Sequence, residues 1–228
     1  MPYTTRMAHR EFKRKIYAEF ARIGKALGSA RRLELLDLLA QGPRHVEALA
    51  IETDMSVANV SQHLQVLRQA RLVEAEREGT KALYRIADKH VLDLWLRLRS
   101  VAEERLADLG QLRREVDVYD EDSLVPRDAL ERLIRGRNAV LIDTRPSSEY
   151  EHGHLPAAIS MPMDELRNRL HELPQDRPII AYCRGDYCLF ADEAVALLRE
   201  KGFEAHRLEG GWPEWWAEDR AVAGSGEA

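Results

Sequence analysis

At 228 residues, with 45 % hydrophobic and 32 % charged content, the chain has the composition of a folded polypeptide and the length of two modest domains. No apolar run approaches 18 residues and the stretch Met1 to Lys15 is polar and basic, so neither a membrane span nor a secretory signal is expected. Two cysteines are too few for a disulfide scaffold and suit a reducing compartment, which makes the cytoplasm the expected location.

The net charge of −5 divides unevenly. Residues 1–115 carry 21 Lys and Arg against 16 Asp and Glu, a net of +5, and residues 116–228 carry 13 against 23, a net of −10. A basic half joined to an acidic half points to nucleic-acid contact through the first alone. There the apolar spacing predicts a helix from about Ala8 to Leu27 and another from Ser29 to Ala40, with Leu33, Leu36 and Leu39 on one face and Gly42-Pro43 as its stop. Val46 to Thr53 reads as a short third helix. Ser56 is placed to cap a fourth that runs to about Ala70 and repeats Val57, Val60, Leu64 and Leu67 at steps of three and four. Leu72–Arg77 and Lys81–Ile86 then form two strands around Glu78-Gly79-Thr80. Lys89 to Arg114 reads as one long amphipathic helix, on which Val91, Trp95, Leu98, Ala102, Leu106, Leu109 and Leu112 recur near a 3.5-residue period.

Two short helices, the second capped, and a hairpin with basic flanks make a winged helix-turn-helix. The free face of the fourth helix, with Asn59, Ser61, Gln62, His63, Gln65 and Arg68 after the Ser56 cap, offers donors and acceptors suited to base edges in a major groove. Arg77 and Lys81 on the hairpin suit backbone phosphates. The run from Ser56 to Val73, SVANVSQHLQVLRQARLV, resembles the recognition helix of ArsR-type bacterial repressors, with Arg71 where glycine is usual. That resemblance spans about residues 16–100. It implies a homodimer paired through the first and last helices, with recognition helices about 34 Å apart on double-stranded operator DNA of inverted-repeat sequence. The metal ligands of that family are missing: His45 to Asp54 contains no cysteine, and no second histidine follows Asp88 and His90 on the last helix. No metal and no cofactor is expected, and sensing falls to the other half.

In the acidic half, Arg177 to Tyr182 reads as a short buried strand and Leu189 to Lys201 as a helix, with Ala191, Ala194, Val195, Leu197 and Leu198 at helical spacing. Between them lies Cys183-Arg184-Gly185-Asp186-Tyr187-Cys188, which holds both cysteines of the chain. A thiol that ends a strand and faces the amides of a helix start is expected to ionise readily. Lowering a thiol from about 8.5 to about 6.5 raises its thiolate fraction at neutral pH from roughly 3 % to roughly 75 %. Cys183 is the expected nucleophile, and Cys188, at the helix start, is the second reactive thiol.

The loop resembles the active-site loop of the rhodanese (sulfurtransferase) fold, and Leu141–Arg145, Glu149–Ala158 and Glu209–Trp215 resemble its other signatures, with Ala157 where glycine is usual. The resemblance covers about residues 123–220 and implies an α/β domain on a parallel sheet whose cysteine carries a persulfide. Arg184, Gly185, Asp186 and Tyr187 would cradle the sulfur, with Asp143 and Arg145 supporting at a nearby strand end. Cys188 stands where many members have arginine, and Leu189 stands six residues after Cys183, which disfavours the oxyanion chemistry of C-x5-R relatives. A Cys183–Cys188 link is expected if their Cα atoms come within about 7 Å.

The expected fold is a mainly α winged helix-turn-helix at 1–114, a linker at 115–122, an α/β rhodanese-like domain with a central parallel sheet at 123–221, and a flexible tail at 222–228. The function expected is a DNA-binding regulator that senses a sulfane sulfur donor, or a similar thiophilic small molecule, through Cys183 and Cys188. Two alternatives stand beside it: a thiosulfate or persulfide sulfurtransferase with an accessory DNA-binding domain, and an arsenical sensor using the cysteine pair.

Overall fold

The computed structural model describes residues 3–115, 124–218 and 220–224. Its contacts divide the chain into two units, Met1–Trp95 and Leu96–Ala228. The division falls inside a helix, not at the expected linker 115–122, of which residues 116–122 lie outside the described residues.

In the first unit, α1 (Tyr3–Leu27) and α2 (Ala30–Leu39) precede a two-residue strand, β1 (Arg44–His45), and then α3 (Val46–Glu52) and α4 (Val57–Gln69). The hairpin is β2 (Val73–Glu78) and β3 (Lys81–Ile86), followed by α5 (Lys89–Arg105). The three strands pair antiparallel in the order β1-β3-β2, so the wing has one strand more than the sequence suggests. Leu35, Leu36, Leu49, Val60, Leu64, Leu67 and Leu92 form its core, whereas Val57 faces solvent. Ser56 caps α4, its Oγ accepting from the Asn59 amide at 3.2 Å. At the other end Arg71 holds φ at 60°. Its amide bonds Arg68 O at 2.9 Å and that of Leu72 bonds Leu67 O at 3.0 Å, the helix stop that glycine usually makes.

The predicted long helix is two: α5 ends at Arg105 and α6 (Ala107–Arg114) restarts after Leu106, with neither proline nor glycine at the break. The second unit continues with β4 (Leu124–Val125), α7 (Arg127–Arg135), β5 (Val140–Asp143), α8 (Ser147–His152), β6 (Ile159–Ser160) and α9 (Met163–Arg169). It closes with β7 (Ile179–Cys183), α10 (Phe190–Glu200), β8 (Ala205–Gly211) and α11 (Trp212–Ala217).

All five strands of that sheet are parallel, in the order β4-β8-β7-β5-β6, so β7 is central and buried along its whole length. Strand side chains alternate between faces, and β7 obeys this. Ile179, Ala181 and Cys183 join a core with Leu166 and Leu198, while Ile180 and Tyr182 join another with Leu130, Trp212 and Trp215. The site lies at the carboxyl end of this strand, where ligands bind in open α/β sheets. Residues 222–224 of the expected tail are tied in, since His154 and Ala223 exchange backbone hydrogen bonds of 2.9 and 3.0 Å; residues 225–228 lie outside the described residues.

Arg71 and Ala157 both occupy the left-handed region, at φ 60° and 63°, where a side chain costs roughly 1–2 kcal/mol. Part of that is offset by the extra freedom glycine has when unfolded, roughly 0.4–1 kcal/mol. Arg71→Gly and Ala157→Gly are each expected to stabilise the chain by about 0.5–1 kcal/mol. Urea unfolding midpoints at constant slope check this.

Candidate functional site

The pleat of β7 turns Cys183 into the core, where it is fully buried. Its Sγ meets acceptors, Cys188 O at 3.2 Å and Gly185 O at 3.7 Å. Burial, and then the hydrogen bond it makes to the Cys188 sulfur, push its thiol pKa up. Burial thus works against the acidification expected of Cys183, although the Ala191 amide at the start of α10 and the Arg207 charge act to lower it. Cys188, half-buried two residues before α10, is the acidified thiol, lowered to about 7. The Cys183 thiol donating to it is the largest cause; burial opposes; the backbone N–H groups of Arg184 and Phe190 and the Arg184 charge add to the lowering. The two neighbouring thiols are thus shifted in opposite directions, Cys183 up and Cys188 down.

The side chains of the remaining loop residues make contacts of their own. Arg184 bonds both oxygens of the buried Glu149 carboxylate, with its Nε at 3.0 and 3.1 Å; only its backbone amide points at sulfur. Asp186 Oδ1 accepts from the Gly210 amide at 3.0 Å. Gly185 has φ +128°, and a side chain there would press on the Glu214 carboxylate at 3.2 Å. Gly211 runs so close under the loop that a Cβ would collide with Cys183 O and the Gly185 backbone. Tyr187 is exposed and donates to Glu103 Oε1 at 2.9 Å, and Arg99 pairs with Glu214. Arg99 and Glu103 lie on the part of α5 that belongs to the second unit. Glu214 also accepts from the Gly211 amide at 2.8 Å.

Asp143 and Arg145 support the fold beneath the loop. Both are wholly buried and paired at 2.6 Å. The Tyr182 hydroxyl donates to Asp143 at 2.6 Å, and Arg145 donates to Gly153 O at 2.8 Å. Burial works against the Arg145 charge, but Asp143 more than restores it. Arg207, also buried, donates to Gly185 O at 3.1 Å and lies 3.6 Å from Asp192 and 3.7 Å from Asp186. Sequence reasoning missed Arg207, Glu214 and Arg99, because none follows a period and their partners are distant in the chain.

On α4, Asn59, Gln62, Gln65 and Arg68 are exposed, and Ser61 and His63 half-buried. The Ser61 hydroxyl turns back onto Val57 O at 2.8 Å, and Ser56 is spent as the cap. Arg77 and Lys81 are exposed on the hairpin, with Arg77 Nε donating to Gly79 O at 3.1 Å. Asp88 accepts from the Val91 amide at 3.1 Å, a helix-start role.

Comparison with known proteins separates the halves. The family model for the bacterial regulatory protein, arsR family, matches residues 29–75, and that for the rhodanese-like domain matches 126–218. The HTH-type transcriptional regulator Rv0324 of Mycobacterium tuberculosis is 46 % identical over 203 residues, 89 % of this chain and 89 % of that protein. The sulfurtransferase of Allochromatium vinosum is 31 % identical over 86 residues, 37 % of this chain and 78 % of its own length. Among solved structures, the homodimeric winged helix-turn-helix DNA-binding domain Mb0332 of Mycobacterium bovis is 48 % identical. It covers 42 % of this chain and 89 % of its own at a TM-score of 0.41.

Two outcomes are expected from this geometry. With Cys188 at about 7, alkylation of the folded protein labels Cys188, not Cys183. Its rate climbs with pH through a midpoint near that value, because only the thiolate reacts. Cys183→Ala removes the donating thiol and moves the midpoint upward; stopped-time labelling with peptide mapping checks both. Asp143→Ala strands a buried guanidinium and is expected to cost about 3–5 kcal/mol in chemical unfolding.

Proposed function

Since the chain belongs to the ArsR family of bacterial transcriptional regulators and carries a rhodanese-like domain, we propose that it binds operator DNA as a homodimer and senses sulfane sulfur through the Cys183–Cys188 pair. The observation that carries this reading is the division of labour between the thiols: one part-exposed and acidified, the other buried, protonated and in hydrogen-bond contact with it.

The donor's sulfane sulfur is itself the two-electron oxidant and ends as hydrogen sulfide. The Cys188 thiolate attacks the outer sulfur of a persulfide or polysulfide, whose S–S bond breaks and whose thiolate leaves with the electron pair. Cys188 then bears a persulfide. Cys183 attacks the inner sulfur of that persulfide, hydrosulfide leaves with the electron pair, and the Cys183 proton goes to it. A Cys183–Cys188 disulfide and hydrogen sulfide result. Cys183, named as nucleophile from the sequence, serves in this order as the resolving thiol.

Several features support the regulatory role. A loop altered this way moves Tyr187 and Gly185, and through them Glu103, Glu214 and Arg99, the last held on α5. On α1, Phe12, Tyr17 and Phe20 are 61 %, 67 % and 64 % exposed, and Val101 on α5 is 56 % exposed. These are apolar faces for a second copy to cover. The exposed polar face of α4 and the basic hairpin supply base-edge and phosphate contacts respectively.

Coupling between such sites is typically 1–3 kcal/mol, so operator affinity is expected to change about 5–150-fold on polysulfide treatment. Gel shifts on wild type and Cys188→Ser read this; an equal response in Cys188→Ser sinks the sensor reading. Steady transfer of sulfur to an added thiol, with no change in DNA binding, would favour the sulfurtransferase reading instead. Gln62→Ala is expected to weaken operator binding by about 1–3 kcal/mol while leaving nonspecific DNA affinity nearly unchanged, as competition titrations would show.

A further inference from the structure

A cleft of about 480 Å³ opens beside the carboxyl end of β5, lined in part by Thr144, Ser147, Pro162, Met163, Asp164 and Phe190. Nothing in the mechanism above uses it. Phe190 joins it to the reactive sulfur: its amide donates to Cys188 Sγ, and Phe190, Met163 and Cys188 pack against the same core cluster. The lining residue Phe190 thus stands two residues after the acidified thiol, and the cleft is of a size for a small organic molecule.

Its chemistry restricts what enters. Every guanidinium around the loop already faces a carboxylate: Arg145 faces Asp143, Arg184 faces Glu149, Arg207 faces Asp186 and Asp192, and Arg99 faces Glu214. A dianion such as thiosulfate would find each of these charges neutralised. Within the cleft Glu165 is held by Arg169 at 2.9 Å, while Asp164 is exposed and has no cationic partner among the described residues. The walls offer apolar surface from Pro162, Met163 and Phe190, hydroxyls from Thr144 and Ser147, and one carboxylate available to a ligand.

We propose that this cleft seats the carbon body of a small organic hydropersulfide bearing an ammonium group, which Asp164 holds while the outer sulfur reaches Cys188. The inference rests on the reading of the thiol pair given above and names its donor. The Cys188 thiolate takes the outer sulfur, the donor S–S bond breaks, and the organic thiolate departs with the electron pair.

Intact-mass kinetics on the full chain test it. Loss of the free Cys188 thiol is followed with 2-aminoethyl hydropersulfide, 2-carboxyethyl hydropersulfide, inorganic polysulfide and thiosulfate. The two organic donors differ in leaving group, so the readout is how their rate ratio changes on substitution. Asp164→Asn is expected to lower the ammonium-to-carboxylate ratio about two- to fivefold, the scale of one exposed charge pair. Asp164→Glu should keep the wild-type ratio, and thiosulfate should be the slowest donor. An unchanged ratio in Asp164→Asn, or thiosulfate outrunning the ammonium donor, overturns the cleft assignment while leaving the thiol pair standing. Failure of every donor, polysulfide included, to modify Cys188 overturns both.

Discussion

Two sulfurs in opposite environments organise the site. Cys183 and Cys188 are five residues apart, yet they lie in opposite environments because one ends a strand and the other precedes a helix. The pleat leaves Cys183 no choice of direction: it must follow Ile179 and Ala181 into the core beneath α10. There the desolvation cost of a thiolate is large, two carbonyl oxygens accept from S–H and repel S−, and the Ala191 amide and Arg207 offset this only in part. Cys188, less deeply buried, meets backbone donors at the loop start and at the first residue of α10. The buried thiol thus becomes the strongest influence on its neighbour, and the pair ionises once, at Cys188.

Holding that arrangement requires a rigid floor, which is built from ion pairs and one bare backbone. Arg207 beneath the loop fixes Gly185 O, Glu149 fixes Arg184, and Asp186 fixes the Gly210 amide. Gly211 lets β8 approach Cys183 more closely than any side chain permits. One layer down, Asp143, Arg145 and Tyr182 form a buried polar cluster that ties the end of β5 to that of β7. Buried charges of this kind add little net stability when paired, but losing one partner is costly. Their contribution is therefore to position: they keep the loop in one conformation.

The sequence announces the local parts of this design and hides the distant ones. Ser56 as a cap, the apolar repeat of α4, and the strand-loop-helix around residues 177–201 are visible because each depends on spacing within a few residues. Glycine-like geometry at Arg71 and Ala157 survives the substitutions, because the hydrogen bonds around each turn dictate the backbone more strongly than its own side chain does. Which of the two thiols is raised and which lowered is not legible for a related reason. Proximity to a helix start is a local signal shared by both cysteines, whereas the side-chain direction and the facing carbonyls are properties of the folded loop. Arg207, Glu214 and Arg99 act through partners that are remote in the chain, and no periodicity marks them. The break at Leu106 likewise has no punctuating residue to betray it.

The burial of Cys183 also bears on whether the loop turns over or stores a state. A sulfurtransferase needs its persulfide to wait for an external acceptor, so a resolving thiol in contact with the loaded sulfur works against turnover. Here that thiol is present and protonated, and its attack is slowed by the same burial that raises its pKa. On the proposed reading the persulfide therefore lasts long enough to be a signal and then ends in an internal disulfide, not in a product handed on. A regulator needs one such event per molecule and some change at the loop's outer side chains. Tyr187 and Glu214, facing Glu103 and Arg99, are the groups that would move. On that reading, the pairing of a slow buried thiol with a faster half-buried one suits a device read once by a helix better than one cycled by a substrate.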